Sequence, residues 1–182
     1  ANEVPEFELL RSQASQIKKH TLTHLDRYLE EFEKNLIANG VHVHWAVNGD
    51  ELNQYVYDIL QSHEVPYIVK SKSMLTEECG LNHFLEQKGL EVYDTDLGER
   101  IVQLAHEPPS HIVVPAMHKT REEISELFHK TMNTESGNLD AKYLTVSARQ
   151  DLREKFMNAK AAITGVNFGV AETGTITICN NE

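Results

Sequence analysis

The sequence predicts a three-layer α/β/α fold built on a mostly parallel sheet, and three observations carry that expectation. Short apolar runs such as Pro66-Tyr67-Ile68-Val69 and Leu90-Glu91-Val92-Tyr93 have the length and composition of buried strands. Amphipathic stretches with start and stop signals separate them. Strands alternating with helices pair side by side in parallel, because each crossover helix must return over a sheet face. At 182 residues the chain is long enough for one domain with a substantial core.

Each element follows from local pattern. Leu10, Ala14, Ile17, Thr21, Leu25, Tyr28, Phe32 and Leu36 recur at steps of three and four, which predicts one long helix, or two with a bend, stopped by Asn39-Gly40. That length exceeds what a small sheet needs as cover, so residues 1–40 are expected to form a helical arm and residues 41–182 the α/β domain. Val41-His42-Val43-His44-Trp45-Ala46 reads as a strand, and Asp50 to Gln61 as a helix with Leu52, Tyr55, Val56 and Ile59 on one side. After the strand at Pro66 to Val69, Thr76-Glu77-Glu78 opens a helix that runs through Leu85 and closes at Lys88-Gly89. The strand at Leu90 to Tyr93 is followed by a helix from Gly98 to about Ala105, the punctuation Pro108-Pro109, and a fourth strand at His111 to Pro115.

Thr120-Arg121-Glu122-Glu123 is a capping-box start for a helix carrying Ile124, Leu127 and Phe128. A polar loop with Gly137 precedes a further helix from about Val146 to Ala161. In the last twenty residues, Phe168 to Ala171 and Thr175 to Ile178 read as two short strands joined by a bend at Glu172-Thr173-Gly174. Gly174 supplies the backbone freedom that such a bend requires.

Composition limits what the chain can do. A formal net charge of −11 argues against nucleic acid, which is held through clusters of Lys and Arg. No apolar run is long enough to span a bilayer, and Ala1-Asn2-Glu3-Val4-Pro5-Glu6 lacks the basic and apolar regions of a signal peptide, so a cytoplasmic location is expected. Cys79 and Cys179 are the two cysteines, and their spacing encodes neither a disulfide framework nor a self-contained cluster. The histidines, His42 and His44 among them, show no metal-ligand spacing with acidic partners, so no metal site is expected.

In an open parallel sheet, ligands gather at the carboxyl ends of the strands. Lys70, Ser71, Lys72 and Ser73 lie at such an end, ahead of a helix N-terminus, and two ammonium groups with two hydroxyls suit a small anion. A solvated loop of the same composition is the competing reading. Glu172, Thr173, Gly174 and Thr175 place one carboxylate and two hydroxyls at a rigid corner, where they either hold a ligand or face water. Asp94-Thr95-Asp96-Leu97-Gly98-Glu99-Arg100 either places a carboxylate at the same edge or serves, through Asp96, to cap the next helix, the reading preferred here, and His118 reads as a solvated loop histidine or an acid-base group.

Two strings go further. Gly165-Val166-Asn167-Phe168-Gly169-Val170-Ala171-Glu172-Thr173-Gly174-Thr175-Ile176 and Val69-Lys70-Ser71-Lys72-Ser73-Met74-Leu75-Thr76-Glu77-Glu78 closely resemble the lactate-utilisation (LUD) domain of the lactate utilisation protein B family, the likeness running from about Leu22 onward. The resemblance implies a fold like that of phosphosugar isomerases and coenzyme A transferases. It further implies a part in an iron-sulfur system that oxidises L-lactate to pyruvate, with other subunits of a lactate-oxidising complex and a small carboxylate as partners. The domain is expected to continue past Asn181-Glu182 into a ferredoxin-like region, where the 4Fe–4S clusters would lie, with no cofactor inside this stretch. Two alternatives stand beside that role: a transferase-like or isomerase-like enzyme or ligand-binding module, with Lys70, Lys72 and Thr175 holding an anion and Glu172 as nucleophile or base, and an assembly scaffold without catalysis.

Overall fold

A computed structural model describes residues 4–179; the first residues of the expected arm, 1–3, and the last of the expected α/β domain, 180–182, lie outside the described residues. The chain is α/β, and among the described residues it forms two compact units, residues 45–165 and residues 4–44 with 166–179.

The larger unit is built on a parallel sheet of β1 (Tyr67–Lys70), β2 (Glu91–Asp94) and β3 (Ala161–Ile163), in the order β2-β1-β3. Register pairs Ile68 with Val92 and Ala161, and Lys70 with Asp94 and Ile163. Because side chains alternate along a strand, Ile68 and Val92 share one face and Val69 and Tyr93 the other. The first face packs on α3 (Gly49–Ser62) and α5 (Leu81–Gln87), where Leu60, Leu81 and Leu85 close a core with Ile68 and Val92. The second face is covered by α6 (Leu97–Ala105) and α8 (Ala141–Asn158): the Tyr67 hydroxyl donates to the Lys155 carbonyl at 3.2 Å, and Arg100 and Lys155 lie over the Tyr93 ring at 5.2 and 5.0 Å. Helices on both faces make the three layers. A second core joins Ile101 of α6, Phe128 of α7 (Arg121–Met132), and Leu144 and Ala148 of α8.

Local chemistry sets most boundaries. Asn48 accepts from Glu51 N at the start of α3, Asp96 from Glu99 N at the start of α6, and Asp140 from Lys142 N at the start of α8. The expected capping box forms at α7, with Thr120 and Glu123 satisfying each other's backbone. The single helix expected from Thr76 to Leu85 is instead two, α4 (Met74–Glu78) and α5, broken at Cys79-Gly80. Gly80 turns left-handed there, and the buried Asn53 side chain donates to the Cys79 carbonyl at 2.7 Å, fixing the corner against α3.

Two expected strands do not form. Val41 to Ala46 pairs with no strand among the described residues, and the boundary between the two units falls inside it. His111 to Pro115 closes into a loop: Ser110 N and Oγ donate to the Pro115 carbonyl at 3.0 and 2.9 Å, and the His111 ring accepts from Val113 N and Val114 N. Its backbone groups are met locally, so Ile112, Val113 and Val114 stay exposed despite their strand-like composition. The last helix starts at Ala141 and ends at Asn158 rather than running from Val146 to Ala161, and Ala161–Ile163 becomes β3.

In the smaller unit the long amphipathic stretch is two helices, α1 (Phe7–Thr23) and α2 (Leu25–Ala38), broken at His24. The expected hairpin forms from β4 (Phe168–Val170) and β5 (Thr175–Thr177), antiparallel, with Val170 opposite Thr175. Side-chain amides of α2 and of its C-cap hold the hairpin bend: Asn35 donates to the Ala171 and Glu172 carbonyls at 2.7 and 3.0 Å, and the capping Asn39 to Thr173 O at 2.9 Å. Two glycines let the helix approach. A Cβ on Gly169 would sit 2.9 Å from the Phe32 ring, and one on Gly174 would sit 2.6 Å from the Asn35 backbone.

Candidate functional site

Strands β1 and β2 both end on a charged residue, and the parallel register sets those residues side by side at the carboxyl rim of the sheet. Lys70 is 0% exposed, its ammonium 2.8 Å from Asp94 Oδ1 and donating to Glu77 Oε1 of α4 at 2.9 Å. An ammonium removed from water survives only when paired and hydrogen-bonded, and here two carboxylates answer it. Asn82 of α5 donates to the other Asp94 oxygen at 2.9 Å, and Thr95 N and Oγ1 donate to the Lys70 carbonyl.

The electrostatics follow from burial. Desolvation alone would lower the Lys70 pKa, but the Asp94 carboxylate, and then Glu77, outweigh it and hold it above the ordinary lysine value. Burial raises the Asp94 pKa, and the Lys70 ammonium offsets only part of that. Glu99, in the first turn of α6, is pushed up to about 7, chiefly by burial, against the pull of Lys70 and with added repulsion from Asp94, Glu77 and Asp96. Its Oε2 has no hydrogen-bond partner among the described residues. A carboxyl that exchanges its proton near neutrality beside a fixed ion pair has the property a general acid or base needs.

The rest of the rim is held by loop-to-loop contacts. The loop after β1 meets the loop after β3, with Ser71 N donating to Ile163 O at 3.0 Å and Ser71 Oγ to Thr164 Oγ1 at 2.8 Å. Gly165 faces Ser73, whose Oγ would lie 3.5 Å from a Cβ placed there. Lys72 is partly exposed; its ammonium donates to the Val113 carbonyl at 3.2 Å and stands 3.7 Å from Asp96 Oδ2. The rim thus holds one lysine enclosed among carboxylates and one that still reaches solvent.

Of the residues singled out in sequence, Lys70, Ser71, Lys72 and Ser73 come together on this rim in the larger unit. Glu172, Thr173, Gly174 and Thr175 belong to the smaller unit, at the hairpin corner. There Glu172 and Thr173 are exposed, and Thr173 Oγ1 donates to Thr175 Oγ1 at 2.8 Å. Asp96 caps α6 as its position implied, and the His118 ring is engaged with Ser110 Oγ and Glu107, each at 2.8 Å. Pattern reading allowed a carboxylate from residues 94–100 at this edge but preferred helix capping, and it passed over the pairing of Asp94 and Glu77 with Lys70 and the burial of Glu99. The available signal was a charged residue closing each of the two strand runs, Lys70 after Tyr67-Ile68-Val69 and Asp94 after Glu91-Val92-Tyr93.

Among the described residues no group of three or more His, Cys, Asp and Glu is placed to hold a metal ion, and no helix is long and apolar enough to cross a membrane.

Comparison with known proteins gives a family match and close relatives. The model of the LUD domain matches residues 29–182. Lactate utilization protein B of Shouchella clausii (strain KSM-K16) is 45% identical over 181 residues, covering 99% of this chain and 38% of the relative. Lactate utilization protein B of Bacillus cereus (strain B4264) is 42% identical over 182 residues, covering 100% and 38%. A protein of Escherichia coli (strain K12) named Uncharacterized electron transport protein YkgF is 42% identical over 181 residues, again covering 100% and 38%. The chain therefore spans 38% of the length of these curated relatives. No solved structure matches.

Proposed function

This chain belongs to the LUD domain family, and from that premise we propose that it serves lactate utilisation as the ligand-holding part of a longer protein. The names of its relatives, lactate utilization protein B and an electron transport protein, support the process. The rim supports the role. The carrying observation is the division of labour between its two lysines: the charge of Lys70 is met internally by Asp94 and Glu77, whereas Lys72 keeps a solvent-reaching ammonium 3.7 Å from its nearest carboxylate. In this reading Lys72, with the hydroxyls of Ser71 and Ser73, takes a small carboxylate such as lactate, and Lys70 keeps the rim rigid. At the hairpin corner Glu172 offers a carboxylate for acid-base work, with Thr173, Gly174 and Thr175 shaping that corner.

Oxidation of lactate to pyruvate releases two electrons and two protons, and the electrons need a carrier. Four thiolates hold a 4Fe–4S cluster, and Cys79 and Cys179, one in each unit, do not fit that requirement. We assign the clusters to the remaining length of the full protein, together with the contacts to other subunits. Calorimetry with L-lactate, pyruvate and a coenzyme A thioester tests the binding role. Binding of lactate or pyruvate that is lost in Lys72→Ala supports the rim, loss in Glu172→Ala is a separate test of the hairpin corner, and unchanged affinity in a variant removes that residue. Preference for the thioester would favour a transferase-like role.

One observation favours a second, non-exclusive role in assembly. No residue of α1 or α2 is buried, and Leu9, Leu10, Ile17 and Leu22 of α1 are each at least half exposed. Apolar side chains in that number on one helix suit a partner subunit. Removing residues 1–23 should then break a complex of the full-length protein while leaving the hairpin contacts of Phe32, Asn35 and Asn39 in place.

A further inference from the structure

We propose that the trough between the start of α6 and one face of α8 is a second binding site, for an organic anion with an apolar body. Its apolar lining, or floor, is Leu97, Ala148, Leu152 and Phe156, and Arg149 and Arg153 line it too. The α8 residues recur at steps of three and four, so the helix itself lines them up into one stripe. The cavity measures about 570 Å³, inside the range of small-molecule sites and too small for a folded partner.

Charge decides the class of guest. The chain carries a net charge of −11, and its other half-buried cations near this face are paired, Arg100 and Lys155 both with Asp151. Among the described residues no ion pair joins Arg149 or Arg153 to a carboxylate. The one carboxylate on the facing wall, Asp96, already accepts from Glu99 N at 3.0 Å and stands 3.7 Å from Lys72, so its charge is answered. Two guanidinium groups one helical turn apart offer planar donor pairs that match a carboxylate or sulfonate. A bare inorganic anion would leave the floor unused: Leu97 and Phe156 remain 38% and 49% exposed, and an apolar body laid over them would remove that surface from water.

Hexanoate is the probe, with acetate, 1-hexanol and a pentaglutamate peptide as comparisons, measured by calorimetry and by amide shifts. Hexanoate should bind at least tenfold more tightly than acetate or 1-hexanol, with shifts confined to Thr95–Leu97 and α8. The double substitution Arg149→Gln/Arg153→Gln should weaken it tenfold or more; both side chains are exposed, so the fold should survive, as circular dichroism would verify. Equal affinity for 1-hexanol, an unchanged Kd in the double variant, or shifts elsewhere would overturn the proposal. Tighter binding of pentaglutamate would overturn it in favour of an acidic protein segment. Excess L-lactate should displace hexanoate no more than acetate does, and lactate binding is read separately at the rim, so failure here and failure of the lactate reading are told apart.

Discussion

Replacing Glu99 by Gln removes one ionisable group from the rim while keeping its shape, and the consequence is a change in how stability depends on pH. Glu99 is 7% exposed, its Oε2 unpartnered among the described residues, and burial raises its pKa from the ordinary 4.5 to about 7. Between those values the folded protein keeps a proton that the unfolded chain has released. The stabilisation this gives is complete below 4.5 and is lost as pH rises through about 7. At about 1.4 kcal/mol per pKa unit the shift corresponds to roughly 3 kcal/mol at most, and screening by water at the rim brings it to about 1–2 kcal/mol.

Glu99→Gln cannot ionise and so escapes that loss. Urea unfolding of both proteins at pH 5 and pH 8 measures it: the variant should gain about 1–2 kcal/mol relative to the parent between the two pH values. The raised pKa of Asp94 acts in the same direction in both proteins and largely cancels. Parallel pH profiles for the two proteins would refute the assignment of a neutral, proton-holding Glu99.

Lys70→Met should cost about 3–5 kcal/mol, because it leaves the Asp94 carboxylate buried without its counter-ion. The double change Lys70→Met/Asp94→Leu should recover part of that loss in urea unfolding, and no recovery would argue against direct coupling. Gly174→Ala should weaken the smaller unit selectively: φ is +64°, and a Cβ would meet the Asn35 backbone at 2.6 Å. Gly137→Ala, at φ +74° with nothing within 4 Å, should cost only the left-handed conformation, about 1 kcal/mol. Hydrogen exchange should therefore show loss of protection at β4 and β5 for Gly174→Ala and not for Gly137→Ala.

What the sequence determined by itself was whatever depends on near neighbours along the chain. The Thr120–Glu123 capping box, the stop at Asn39-Gly40, the bend at Glu172–Gly174 and strands β1 and β2 were all legible, because caps, left-handed turns and apolar runs act over a few residues. Tertiary structure decided what needs a partner from elsewhere. Ala161 reads as the end of a helix and Ala162-Ile163 carries no strand signal, yet the three become β3 because β1 offers an edge, while the more strand-like His111 to Pro115 closes on itself.

The site divides in the same way. Lys70 and Lys72 look equivalent two residues apart, but β1 ends at Lys70, whose register with β2 sets it beside Asp94 and against Glu77, while Lys72 lies in the loop beyond the strand and reaches solvent. The glycines of the hairpin read as turn formers. Gly174 is one, and both it and Gly169 are also the places where α2 comes within reach of the backbone. Periodicity and capping are written in adjacent residues, whereas which charges meet is set by the register of strands far apart in the chain.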